Sequence, residues 1–143
     1  MSRIGRAVAA LLMAVACAVV PAGAATAGAA TAVASDDVVA CEIRYQTRSF
    51  PGGFGGNIEI HNTGTATIYG WTLIFQLLDG VDVVAYRNAE FVTLSGEITA
   101  NSLPRNSEVA PGRYVSVGFV ALGSAAEPPT TFTVNGVTCT VVT

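Results

Sequence analysis

The chain has 143 residues with 10 acidic and 7 basic side chains, a formal net charge of −3, and 51% hydrophobic residues. All seven basic residues are arginine, scattered rather than clustered, which excludes the basic surface that phosphate neutralisation requires and with it a nucleic-acid role. Outside the N-terminal stretch only Cys41, Cys139 and His61 remain as soft ligands, too few for a structural zinc site, so no metal is expected.

Arg3 and Arg6 precede an apolar run from Ala7 to Val20, followed by small residues to Ala34 with several Ala-x-Ala sites. That order is a secretory signal peptide, its apolar centre too short for a stable membrane anchor. Cleavage after Ala27, Ala32 or Ala34 fits equally well. A lipoprotein signal with Cys17 lipidated is the weaker reading, because Ala14 stands where such signals carry Leu. Residues 1–34 are therefore read as signal and processing region and 35–143 as one domain, secreted and free of the membrane after cleavage. With Arg3 and Arg6 removed, that domain holds 10 acidic residues against 5 arginines, a balance of −5.

From Cys41 the chain reads as strands. Cys41-Glu42-Ile43-Arg44-Tyr45 alternates apolar with polar, and Phe50-Pro51-Gly52-Gly53 is a turn. Gly53 to Gly64 is a second strand, with Ile58 and Ile60 on one face and Asn57, Glu59 and His61 on the other. In Tyr69 to Leu78, Trp71, Leu73, Phe75 and Leu77 share a face that needs a second layer to cover it, so this face is the expected centre of the core. Asp79-Gly80 turns the chain, Val81 to Phe91 is β-rich with a break at Arg87-Asn88-Ala89, and Phe91 to Leu94 forms a short hairpin with Glu97 to Ala100. Asn101 to Gly112 reads as loop. Tyr114 to Leu122 is a strong strand with Val115, Val117 and Phe119 inward, Gly123 to Pro129 is loop, and Thr131–Val134 with Val137–Val142 forms a closing hairpin around Asn135-Gly136. Eight or nine short strands without a helical period give an all-β, antiparallel β-sandwich of immunoglobulin-like or jelly-roll-like form. Cys41 and Cys139, at opposite ends of an exported domain, most simply tie its terminal strands by a disulfide.

These residues resemble the family 2 carbohydrate-binding modules, the cellulose-binding type attached to secreted bacterial glycoside hydrolases. The resemblance is carried by Cys41-x-Ile43-x-Tyr45, by Gly53-Phe54-x-x-Asn57-Ile58-x-Ile60-x-Asn62-Thr63-Gly64, and by Gly70-Trp71-Thr72-Leu73. Asn88-Ala89, Pro111-Gly112, Val117-Gly118-Phe119 and Pro129-Thr130-x-Phe132-Thr133-Val134-Asn135-Gly136-Val137-x-Cys139 continue it in order. It implies a non-catalytic module, without cofactor, that adsorbs on insoluble polysaccharide: cellulose, with chitin or xylan as alternatives. Modules of this kind lay three surface aromatics on successive sugar rings, each worth about 2.5 kcal/mol at ~25 cal/mol per Å². Carried over, the three platform positions fall on Phe50, Arg87 and Arg105, so one ring remains and two arginines stand where the family has Trp. Asn57, Asn88 and Asn106 match positions whose amides assist with sugar hydroxyls, and Trp71 matches a core position.

Each candidate has a plainer reading beside it. Phe50 is either presented on its Pro-Gly turn or folded onto the sandwich edge. Arg87 and Arg105 either stack on sugars and pair with acidic ones, or are solvated surface groups. The three asparagines also suit turns and strand edges. Tyr86, out of register with Arg87, belongs to the core unless a bulge intervenes; Tyr45 and Tyr114 read as packing residues and His61 as an exposed polar one. Paired carboxylates such as Glu90 and Glu97 are the only appeal a glycosidase reading has, and a sandwich of this size offers them no obvious cleft. The alternative function is an extracellular structural or interaction domain that kept the sandwich and lost cellulose binding, with cell-surface proteins as its partners.

Overall fold

The computed structural model describes residues 37–143; the expected signal region, 1–34, lies outside the described residues. Twelve strand segments follow in order: β1 (Cys41–Phe50), β2 (Gly53–Asn62), β3 (Ile68–Tyr69), β4 (Thr72–Gln76), β5 (Asp82–Arg87), β6 (Glu90–Phe91), β7 (Glu97–Asn101), β8 (Glu108–Val109), β9 (Tyr114–Leu122), β10 (Phe132–Val134), β11 (Val137–Thr138) and β12 (Thr140–Val142). Four of these, β3, β6, β8 and β11, are two residues long, too short to show a period, which leaves the eight that patterning can detect. Among the described residues the only helical turn is a 3-10 turn at Pro104–Asn106.

The strands form two five-stranded sheets, ordered β12-β1-β2-β9-β5 and β11-β10-β4-β7-β6, with β3 and β8 paired separately. Their facing sides interlock through aromatic rings. Phe119 of the first sheet meets Phe75 of the second at 5.8 Å between centroids and Phe91 at 6.2 Å. Trp71, Leu73, Phe75 and Leu77 are all buried, as the alternation of β4 requires. Tyr45 joins this core against Phe119 and Phe132, and burial pushes its hydroxyl up to about 12.

The closing hairpin of the sequence reading is only half formed. β11 pairs with β10, but at Cys139 the chain crosses to the other sheet and β12 runs parallel to β1. The Cys41–Cys139 disulfide sits at that crossing, with Cα atoms 4.7 Å apart. The segment 101–112, read as loop, contains the 3-10 turn and β8, and β8 is paired with β3.

The Asn62-Thr63-Gly64 motif has a structural cause. The buried Asn62 amide donates to Ala66 and Val109 carbonyls and accepts from the Gly64 N–H. A Cβ at Gly64 would lie 2.1 Å from the Val38 carbonyl oxygen, so glycine lets residues 38–40 pass alongside.

Candidate functional site

The outward side of the first sheet carries the candidate residues, and the pairing register orders them in rows across the strands. Phe50, Gly53, Leu122 and Asp82 form one row. Arg48, Gly55, Val120 and Ala85 form the next, and Gln46, Asn57, Gly118 and Arg87 the third. The glycines leave the backbone bare in the middle of all three rows. Along the second and third rows lies an open groove of about 510 Å³, lined among others by Gln46, Arg48, Gly55, Asn57, Arg87 and Val120.

Pro51 and Gly52, the latter at φ +86°, make the turn between β1 and β2 with the residue pattern of a type II turn. The turn places Phe50 directly opposite Gly53. A Cβ at Gly53 would come within 2.9 Å of the Phe50 ring, so the ring lies over that glycine. It remains 42% exposed, and across Gly53 stands Leu122, also exposed. The ring is therefore folded onto the sheet and partly open to solvent.

Arg87 lies in the same way over Gly118, whose missing Cβ would sit 2.4 Å from Nε and 3.1 Å from Cζ. Any Cβ at position 118 would collide with the Arg87 side chain where it lies. Among the described residues neither Arg48 nor Arg87 makes an ion pair, whereas the carboxylates further along the face are paired: Glu42 to Arg44 at 3.0 Å and Glu59 to His61 at 2.8 Å.

Arg105, in the 3-10 turn, donates from Nη2 to Asn88 Oδ1 at 3.0 Å. Asn88 adopts φ +62°, a conformation asparagine tolerates, and its Nδ2 donates to the Ser116 carbonyl. Asn106 Nδ2 donates to the Asn88 carbonyl at 2.7 Å while its Oδ1 accepts from the Leu103 N–H. Its own carbonyl accepts from Trp71 Nε1 at 2.9 Å. Asn88 and Asn106 thus hold the loop that carries Arg105, with their amides engaged inside the protein. Asn57 differs: its Oδ1 accepts from Ser116 Oγ at 2.8 Å, and its amide N–H groups have no partner among the described residues.

Three aromatic expectations change. Tyr86 pairs with Phe119 in register and packs on Phe91 at 4.8 Å, on the inward side as alternation predicts, but the sandwich is open at its β5 edge and the residue stays 41% exposed. The bulge at Val83–Ala85 lies before it in the strand. Tyr114 is a surface residue, 57% exposed, because it faces outward opposite His61. His61 is correspondingly less open than its polar alternation suggests, stacked on Tyr114 at 4.7 Å and bonded to Glu59. Arg48, Leu122 and Gly118 also belong to this face, though none of them is a site candidate from sequence. Their signal is positional, since each falls on the outward side of a strand in register with a candidate.

A β-sandwich whose distinguishing surface is an open, bare-backboned sheet face has the architecture of a binding module. The cellulose binding domain family matches residues 41–139. The chain belongs to this family of non-catalytic carbohydrate-binding modules. It is similar to Exoglucanase A of Cellulomonas fimi, 39% identical over 102 residues that cover 71% of this chain and 12% of the relative. With Chitinase 63 of Streptomyces plicatus it shares 32% identity over 94 residues, 66% of this chain and 15% of that enzyme. The chain thus spans a small part of the curated relatives it matches. Among solved structures it resembles the chitin-binding domain of Chi18aC from Streptomyces coelicolor, with TM-score 0.59, 28% identity, and coverage of 71% and 96% of the two chains. It also resembles the cellulose-binding family 2 domain of ScLPMO10C, with TM-score 0.52, 29% identity, and coverage of 64% and 90%. No helix among the described residues is long and apolar enough to cross a membrane.

Proposed function

We propose that this domain is exported and adsorbs on insoluble polysaccharide, cellulose or its N-acetylated counterpart chitin, through the outward face of the first sheet. The observation that carries this reading is the Phe50 ring lying over Gly53 and still partly exposed. A sugar ring laid on it hides apolar surface on both partners, the contact that aromatic side chains make best. Arg87, lying over Gly118, offers a second planar group, since guanidinium groups stack as well as donate. Asn57 supplies free amide N–H donors for hydroxyl groups. Arg105, held by Asn88, extends the line past the end of β5. Adsorption breaks no bond and uses no cofactor. Its strength comes from stacked area and hydrogen bonds, offset by the ordering of the side chains involved.

The relatives named as exoglucanase and chitinase favour the two crystalline glycans over xylan. The test is depletion of the purified, oxidised protein from solution by microcrystalline cellulose, chitin and insoluble xylan. Adsorption on cellulose or chitin supports the proposal; a protein left in solution by all three solids overturns it.

A further inference from the structure

We propose that the groove between Arg48 and Arg87 binds polysaccharide carrying uronic-acid carboxylates, each arginine taking a carboxylate of the same glycan chain. The inference rests on the outward face of the first sheet being the glycan-binding face, and it adds the chemical class of the ligand.

Charge distribution is the first support. The chain beyond residue 34 has 10 acidic residues against 5 arginines, yet the groove is lined by two of those arginines and by no carboxylate. Arg105 stands just beyond it, tied to Asn88. In register on this half of the face the only carboxylate is Asp82, at the β5 corner opposite Leu122. The acidic side chains Glu42 and Glu59 lie towards the other end, each already paired with a cation or imidazole.

The second support is that both guanidinium groups line the groove without an ion-pair partner among the described residues. Arg87 rests on the bare backbone of Gly118. The planar guanidinium fork matches a carboxylate bidentately. Gln46 and Asn57, in the row with Arg87, offer amides to the neighbouring hydroxyls.

The third support is spacing. Arg87 covers β9, two strand spacings or ~10 Å from β1, where Arg48 stands one row away. Two cationic side chains rooted on separate strands suit a ligand with successive acid groups better than a single small acid. Neutral sugars would stack on the same surface but would leave both charges without counter-ions.

The experiment is affinity electrophoresis of the oxidised protein in native gels containing polygalacturonate, dextran sulfate or neutral hydroxyethylcellulose, run beside the cellulose and chitin pull-downs. The proposal requires retardation by polygalacturonate that exceeds retardation by dextran sulfate. It also requires affinity to fall at least about tenfold in Arg48→Gln and in Arg87→Gln, the loss of one charge-assisted hydrogen bond, and to weaken as salt is raised. Both arginines are exposed, and unchanged melting temperatures confirm that the variants remain folded. Equal retardation by the sulfated polymer overturns carboxylate recognition. Unchanged retardation in both variants overturns the groove as its site. Absence of retardation by polygalacturonate with cellulose or chitin adsorption intact overturns the inference and leaves the adsorption reading standing. Retardation without adsorption supports the inference and removes the crystalline glycans as ligands.

Discussion

Replacing Phe50 by Ala removes the one exposed aromatic ring among the proposed contacts. The residue is 42% exposed, and on a side chain of about 200 Å² that leaves ~85 Å² for a sugar ring to cover. At ~25 cal/mol per Å² the lost burial is about 2 kcal/mol, or a roughly thirtyfold weaker dissociation constant. Because the ring sits on the outside of the sheet, over a backbone that remains paired, the melting temperature is expected to stay within about 2 °C, in keeping with the small effects of surface substitutions. The assay is an adsorption isotherm of both proteins on microcrystalline cellulose and on chitin at fixed salt. If Phe50→Ala adsorbs within about twofold of the parent while Tyr114→Ala, at the other end of the face, loses adsorption, the assignment of the Phe50 end is refuted. The contact would then have to be sought around the Tyr114–His61 stack.

Three further outcomes follow from the packing. Gly56→Ala places a Cβ 2.4 Å from the Phe119 ring, which is held by Tyr45, Phe54, Phe75 and Phe91; a loss of ~1–3 kcal/mol is expected, and a thermal melt matching the parent would contradict the rigidity of that hub. Reducing Cys41–Cys139, which closes a loop with sequence separation 98, should lower unfolding stability by up to ~4.7 kcal/mol, read from urea curves with and without reductant; a change below about 1 kcal/mol would mean the crossover holds without it. Tyr45 ionises near 12 because of burial, while the unfolded chain releases this proton near ~10. Its contribution is therefore fully present below about 10 and is lost as pH rises to about 12. Tyr45→Phe should flatten stability across that window, and an unchanged alkaline slope would exclude Tyr45 as its source.

How far the fold is legible beforehand depends on which interactions set each part. The Trp71 face and the Ile58/Ile60 face are visible because burial imposes alternation on strands long enough to display it. The crossing at Cys139 is not visible, because Val137 to Val142 has the same composition whether β12 stays with β10 or moves to β1. The site behaves similarly. Resemblance places Phe50, Arg87 and Arg105, but the room Arg87 occupies depends on Gly118, a residue 31 positions away in sequence that only the register brings beneath it. Asn88 and Asn106 could not be told from free donors in sequence, since their partners are backbone carbonyls and Arg105 on other segments. Tyr114 and His61 differ from expectation for a related reason: alternation gives the side of the sheet each takes, and neither residue's cover on that side is set by local sequence.

The route of β1 also fixes how the domain can be held. Cys41 opens the strand at the His61 end of the sheet, and Phe50 closes it nine residues later at the other end, a run of ~30 Å. A linker, a solid support or a fluorescent label joined ahead of Cys41 therefore hangs from the side remote from Phe50. The domain can be anchored there and still press its Phe50 end against a surface, like a foot at the end of a leg.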